Sequence, residues 1–373
     1  MLTTIFAAAA MLLTLALPIF PDGLSLPIAT FLALCAASGL GGLIRSHDAR
    51  ALLVFILPWV LALVVAVLVG ILRGNHMVQA MEDALPYVLF ILGLVAGRGA
   101  VLPKVILWAI LVVAVADGLA SLALMQGFDL TSNRSTFNFH KVIAGHLLVG
   151  FYAAALLRSL QPARRRLLRG ALAAAMAVLV VSVIATVSRG MALGLVLGIA
   201  TAFYLRRPSR GLTIGLVAIL VGAIFATTLL QFGESYLRLG SSATVEGRVR
   251  EIAECLTEFR RMPLFGAGLG AEMVVDGFYV SYVHNMLAYH LWKFGLLGST
   301  LLSLPFWPLT RQAWQAPATL RPTMIGGALS VAVYLVTCAS YKNYFLVPMV
   351  GLTVGASLTI ARQVARRAPS PAP

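Results

Sequence analysis

Charge is what this sequence has least of. Only 11% of its 373 residues are Asp, Glu, Lys or Arg, where a soluble domain carries about 25%. A surface so poor in charge cannot face water throughout. That excludes an ordinary soluble domain and leaves lipid as the simplest surroundings. Acidic residues are the scarcer sign, with 13 Asp and Glu against 28 Lys and Arg. Cysteine is limited to Cys35, Cys255 and Cys338, too few and too scattered for a disulfide framework or a metal cluster. Cys35 and Cys338 fall inside apolar runs and read as small packed hydrophobes. The chain has no HExxH, Walker A or CxxC motif, no GxGxxG after a strand, and no obvious carboxylate pair. A zinc hydrolase, an ATP-driven pump and a glycosidase dyad therefore find no support.

Apolar residues are abundant instead, at 60% of the chain, with a mean hydropathy of +0.93. A helix needs about 20 apolar residues to cross a hydrocarbon core. Runs that meet or approach this lie near 2–20, 24–44, 51–72, 85–97, 102–125, 140–160, 171–188, 190–205, 212–232, 284–307, 323–341 and 344–362. The expected fold is an all-α polytopic transmembrane bundle of about 12 spans. Residues 1–367 form one membrane domain, and the Pro-rich tail 368–373 is expected to be disordered. The first run has no basic residue before it, which favours a retained helix over a cleaved signal. The short run 85–97 is the weakest of the set.

Basic residues orient the bundle, because loops rich in Lys and Arg stay in the cytoplasm. With both termini inside, one side collects Arg45, Arg50, Arg98, Lys104, Arg158, the Arg164–Arg169 cluster, Arg206, Arg207, Arg210, Arg311, Arg321 and the final arginines. The opposite, periplasmic side then carries the segment 126–139 and the long loop 233–283 between the ninth and tenth runs. Within that loop Val249, Ile252, Leu256 and Phe259 recur at helical spacing. They predict an amphipathic helix over 245–261, ended by Pro263 and the glycines 266, 268 and 270.

Arg189, Arg238, Arg248, Arg250, Arg260 and Arg261 fall on the periplasmic side, against the bias. A guanidinium fork binds phosphate oxygens through paired charge-assisted hydrogen bonds. Arg250 with Glu254, and Glu258 with Arg261, also have the spacing of ordinary helix-surface ion pairs. Arg189 closes an apolar run with no acid near it in sequence, a costly placement unless hydrated or paired. Arg248 opens the amphipathic helix, where free backbone N–H groups favour an anion.

Of the six histidines, His284 opens a run directly after the long loop and precedes Asn285. Its side chain titrates near neutrality and suits proton transfer, while a capping or interface role fits its position equally. His140 and His146 are six apart, which is not the spacing of a helical metal pair, and His290 is expected to be packed. Asp117 lies within an apolar run and calls for a partner; Arg134 is the preferred one.

The order of these residues carries more than any one of them. Ser188-Arg189-Gly190 is followed by Gly247-Arg248, then PLFGAGLG (263–270), then HNMLAYHLWKFGLLG (284–298). This series resembles the O-antigen ligase superfamily, whose members include O-antigen polymerases and O-oligosaccharyltransferases. The likeness covers roughly 180–300, and two features depart from it. Ile252 stands where an aromatic often follows, and 138–145 reads NFHKVIAG without the common Pro-Asn.

The resemblance implies that Arg189 and Arg248 hold the diphosphate of an undecaprenyl-linked glycan and that His284 is the catalytic histidine. Ser188, Asn285 and Arg238 would support them, with no metal and no cofactor. The implied activity is an O-antigen ligase, a glycosyltransferase moving the glycan to a lipid A–core hydroxyl by an inverting displacement at the periplasmic face of a bacterial inner membrane. A polymerase extending the same lipid-linked chain is the alternative. A non-enzymatic flippase of lipid-linked sugars is the reading from another class, and it predicts midplane charges that are sparse here.

Overall fold

A computed structural model describes residues 1–13, 37, 49–125, 134–186, 188–208 and 242–367. Its helices are α1 (Leu2–Leu13), α2 (Ala49–Leu72), α3 (Met77–Gly99), α4 (Pro103–Met125), α5 (Arg134–Ser159), α6 (Arg166–Ala185) and α7 (Arg189–Arg206). After these come α8 (Ser242–Arg261), the strands β1 (Met273–Val275) and β2 (Phe278–Val280), then α9 (Met286–Ser303) and α10 (Phe306–Trp314). The chain ends in α11 (Arg321–Thr337), a 3-10 turn at Ala339–Lys342, and α12 (Leu346–Arg367). Six helices, α2, α3, α4, α6, α7 and α12, are long and apolar enough to cross a membrane. The architecture is that of an all-α helical membrane protein. The expected runs 24–44 and 212–232, the loop residues 233–241 with Arg238, and the tail lie outside the described residues.

Two elements differ from expectation. The weak run at 85–97 is part of a full-length helix that begins at Met77. Asp83, which interrupts the apolar pattern, is neutralised by Lys293 and Lys342 rather than by water. The run 284–307 is not one straight helix. Gly295 breaks it with φ 62, and α10 follows as a separate short helix.

Small residues set how the helices meet. Gly93 and Gly97 of α3 lie against the backbone of Pro348 and Leu352, and Gly351 and Gly355 of α12 against Phe90 and Leu94. Both helices thus present a Gly-xxx-Gly face and pack backbone to backbone, in parallel. Helices α7 and α11 do the same in antiparallel fashion. Gly190, Gly194 and Gly198 face Thr337, Ser330 and Gly326 in turn. Lipid tails are as apolar as a leucine face, so close backbone approach supplies the attraction that water would otherwise drive.

The two ends of the bundle differ in chemistry. At one end Arg206 donates to Ser159 Oγ and Thr323 Oγ1, each at 3.1 Å, and Arg98 to Gln312 Oε1 at 3.3 Å. At the other end the Asn75 amide reaches the carbonyls of Ala267 and Leu269 at 2.9 and 3.0 Å, and α7 begins beside the end of α11. The long loop folds over this second end.

Gly194→Leu should part α7 from α11, because a Cβ there would sit 2.5 Å from the Ser330 carbonyl oxygen. Overpacking of this kind costs about 1–3 kcal/mol. Thermal unfolding in detergent should show a lowered midpoint for this variant and none for Val196→Leu, whose side chain is exposed. Equal midpoints would remove the glycine contact as the organiser of this pair.

Candidate functional site

The segment PLFGAGLG threads between α2 and the broken helix α9. Gly266, Gly268 and Gly270 all have φ between 70 and 81, a left-handed conformation that side chains resist. Ala267 and Gly268 N–H donate to Trp292 and Lys293 carbonyls at 2.7 and 3.0 Å, and Leu269 N–H to Ala66 at 2.9 Å. In return Leu296 and Leu297 N–H donate to Pro263 and Leu264 at 2.8 and 3.0 Å. The glycine segment therefore satisfies the backbone groups that the break at Gly295 leaves open.

Asp83 holds this assembly from beneath. Its carboxylate accepts from Lys293 Nζ at 2.8 Å, Lys342 Nζ at 2.7 Å and Gly270 N–H at 2.9 Å. Neither the Asp83 nor the Lys293 side chain has exposed area. Lys293 also donates to the Ala271 carbonyl, and its ammonium lies 4.4 Å from the Trp292 ring centroid. The Lys342 turn is tied onward by Tyr341, whose hydroxyl donates to the Val283 carbonyl at 2.6 Å. His284 comes next in the chain.

Above lies α8, the helix expected from periodicity over 245–261; it begins earlier, at Ser242, and of the four expected apolar residues Ile252, Leu256 and Phe259 are half-buried while Val249 is exposed. Cys255 is its buried point, with Ile252 packed beside it. Burial and the nearby Glu251 charge push the Cys255 thiol up to about 12, which suits a packed residue and not a nucleophile. One turn earlier, Glu251 faces His284. The His284 Nδ1 is 3.0 Å from both Glu251 carboxylate oxygens, and its backbone N–H donates to Oε2 at 3.0 Å. Burial alone would raise the Glu251 carboxyl. The hydrogen bonds from the His284 side chain and backbone, with the charges of His284 and Arg248, hold it below its ordinary value. A carboxylate on Nδ1 fixes the ring and leaves Nε2 to do chemistry.

The arginines approach the same end. Arg248, exposed on α8, extends Nη1 to the Thr337 carbonyl at 3.5 Å, a long contact with the last residue of α11. Arg189 is the half-buried first residue of α7 and makes no ion pair among the described residues. Its neighbour Gly190 packs against the Thr337 side chain. Thr337 is therefore flanked from both sides, and the 339–342 turn after it carries Tyr341, which holds Val283. The chain next to Arg189, the Arg248 side chain and the residue before His284 are thus each in contact with the segment 337–342, through Gly190, Arg248 and Val283.

The supporting residues divide. Asn285 caps α9, its side-chain oxygen accepting from Ala288 N–H at 2.9 Å, so the amide serves the helix and not the imidazole. Ser188 stands at the N-cap of α7 without a side-chain capping bond. Arg238 lies outside the described residues. Arg250 pairs with Asp276 at 3.4 Å and not with Glu254, because the hairpin brings an acid closer than the next helical turn does. Glu258 and Arg261 pair as spaced. Asp117 takes His146, at 2.8 Å in the buried interior where α4 and α5 face each other; the side chain of Arg134, its expected partner, lies outside the described residues. His290 is packed as expected, 2.8 Å from the Tyr87 hydroxyl.

Glu251, Lys342 and Tyr341 are the residues that sequence reading passed over. Glu251 follows Arg248 by three and shares its helix face, a spacing that was available to find it. The β1–β2 hairpin had a signal too, since Asp276-Gly277 is a two-residue turn with φ 51 and 83 of the type such dipeptides favour. No protein-family model matches the chain, and no curated protein matches it.

Asp83→Ala should leave two ammonium groups in the interior with no carboxylate between them, a loss of about 3–5 kcal/mol. Thermal unfolding should fall sharply, and an unchanged midpoint would contradict the burial described. Because the Glu251 carboxyl is depressed in the fold, its contribution is full above its unfolded value and fades as pH drops through the folded one. Midpoints recorded from neutral pH into acid should fall less steeply for Glu251→Gln than for the native chain. Parallel curves would mean that the contact carries no linkage.

Proposed function

We propose that this chain is a lipid-linked-glycan-dependent glycosyltransferase of the ligase type, moving a glycan from undecaprenyl diphosphate to a lipid A–core sugar hydroxyl. The reading includes about 12 spans with both termini in the cytoplasm and the loop 233–283 at the periplasmic face of a bacterial inner membrane. The observation that carries it is the Glu251–His284 pair with Arg248 near the Glu251 carboxylate; Arg189 joins the reading because its neighbour Gly190 and Arg248 both meet Thr337.

The chemistry follows from those groups. Glu251 accepts a hydrogen bond from His284 Nδ1–H, which keeps the proton on Nδ1, so Nε2 presents its lone pair to an acceptor hydroxyl. The hydroxyl oxygen attacks the anomeric carbon from the face opposite the diphosphate, and its proton passes to Nε2. The bond from the anomeric carbon to the diphosphate oxygen breaks, and the electron pair leaves on that oxygen. Arg189 and Arg248 stabilise the charge that accumulates there. A diphosphate is a good leaving group, so the step needs no proton donor on that side, and configuration inverts at the carbon. The free N–H groups at the start of α7, next to Arg189, add a partial positive charge to the same place.

Reconstituted protein supplied with undecaprenyl-linked glycan and lipid A–core should form product. His284→Ala should reduce transfer by about 10²–10⁴, and Arg189→Ala or Arg248→Ala by about 10²–10³. Glu251→Gln should keep a residual rate above His284→Ala. Transfer by His284→Ala at the native rate would overturn the assignment. Product on a second carrier glycan, with none on lipid A–core, would make the enzyme a polymerase. Loss of glycan from the outer face in His284→Ala cells would point to a flippase.

A further inference from the structure

Three exposed aromatic rings lie on the second hairpin strand and on the segment that leads from it to the histidine, and they take no part in the transfer step. Phe278 and Tyr279 on β2 are 74% and 78% exposed, and Tyr282 is 44% exposed. Large apolar rings left in the open mark an interaction surface more often than not when they cluster. The hairpin that bears them is tied to α8 by the Arg250–Asp276 pair, both side chains about half exposed. Glu272 precedes it and is also exposed. A hairpin with an ion pair at its tip and an acid at its base is costly to sink into hydrocarbon, so these rings face water.

Tyr282 fixes what the surface is for. Its ring meets the His284 imidazole edge to face at 6.1 Å, and the Lys342 ammonium lies 5.7 Å from its centroid. It thus stands beside the imidazole whose Nδ1 is held by Glu251. By strand register Val275 opposes Phe278 and Met273 opposes Val280 on one side of the hairpin. Phe278 lies four residues before Tyr282, a reach of at most about 14 Å. A sugar ring has one face of C–H groups and a rim of hydroxyls. It lies flat on an aromatic ring while its hydroxyls stay hydrated, the combination of apolar body and wet edge that suits tyrosine.

We propose that Tyr282 and Phe278 form a glycan-binding platform, Tyr282 carrying the sugar unit that reacts at His284 and Phe278 a unit further along the chain. This rests on the glycosyl-transfer reading for its direction toward His284. The binding surface itself does not need that reading. Carbohydrate is the occupant, because Tyr282 adjoins the histidine proposed to activate a sugar hydroxyl and the hairpin that bears Phe278 carries exposed charge.

The test uses the full-length protein in nanodiscs and, as probe, the host glycan freed from its lipid carrier by mild acid. Binding is followed by saturation-transfer NMR, with transfer kinetics in parallel. Tyr282→Ala and Phe278→Ala should each weaken binding by about three- to tenfold and raise KM for the glycan more than they lower kcat. Tyr282→Trp, which keeps a platform, should bind as the native chain does. His284→Ala should keep binding and lose transfer. Native binding by both alanine variants overturns the platform and leaves the transferase reading intact. Weakened association with sugar-free phosphatidylglycerol liposomes, with glycan binding unchanged, overturns it in favour of a membrane contact. Native transfer by His284→Ala sinks the assignment of His284 as the base, and weakened binding in Tyr282→Ala would still uphold the platform.

Discussion

One buried carboxylate organises the end of this bundle that holds the candidate site. Asp83 is enclosed with two lysine ammonium groups and a backbone N–H, and charges at such depth are tolerated only in each other's company. Its partners come from α9, from the turn after α11 and from the glycine segment, so three separate stretches must return to one point on α3. That requirement fixes the register of each. From Lys342 the constraint passes through Tyr341 to Val283 and so sets where His284 emerges. The ion cluster touches no candidate catalytic group, yet the imidazole has its place because the cluster does.

Glycine does the complementary work, in two distinct ways. In α3, α7, α11 and α12 it removes side-chain volume so that helices meet along their backbones. In the PLFGAGLG segment it supplies left-handed turns, which let the chain run close enough to α9 to exchange hydrogen bonds at the break. Gly295 belongs to both. It cuts the helix, and its missing side chain admits the backbone of Leu264 and Gly266. The motif series picked out in the sequence is therefore partly architectural. Gly190, Gly266, Gly268 and Gly270 build, while Arg189, Arg248 and His284 stand on what they build.

What could be read in advance follows from the range of each signal. The apolar runs, the amphipathic α8 and the arginines that break the alternation of basic loops are local patterns, and periodicity or charge asymmetry reveals them. The pairing of Asp83 with Lys293 spans a separation of 210 residues, and no local pattern carries it. Asp117 was visibly in need of a partner, but that His146 would meet it depended on which faces of α4 and α5 meet. Glu251 was hidden in a helix full of charges, where an acid facing a site and an acid facing water look alike. Asn285 was legible as a cap or as a guide for the imidazole, and only geometry separates the two.

The candidate site combines an imidazole oriented by a carboxylate with Arg248, which reaches the end of α11, and with Arg189, whose neighbour Gly190 packs on that same end. Each alone is common. Together, at a bundle end covered by a solvated loop, they match the needs of a displacement at an anomeric carbon with a diphosphate leaving group. The most direct measurement is a cryo-EM map of the protein with an undecaprenyl diphosphate glycan bound. The account predicts diphosphate density between the Arg189 and Arg248 guanidinium groups, with the anomeric carbon facing His284 Nε2. A diphosphate held elsewhere, with both arginines unengaged, would contradict it.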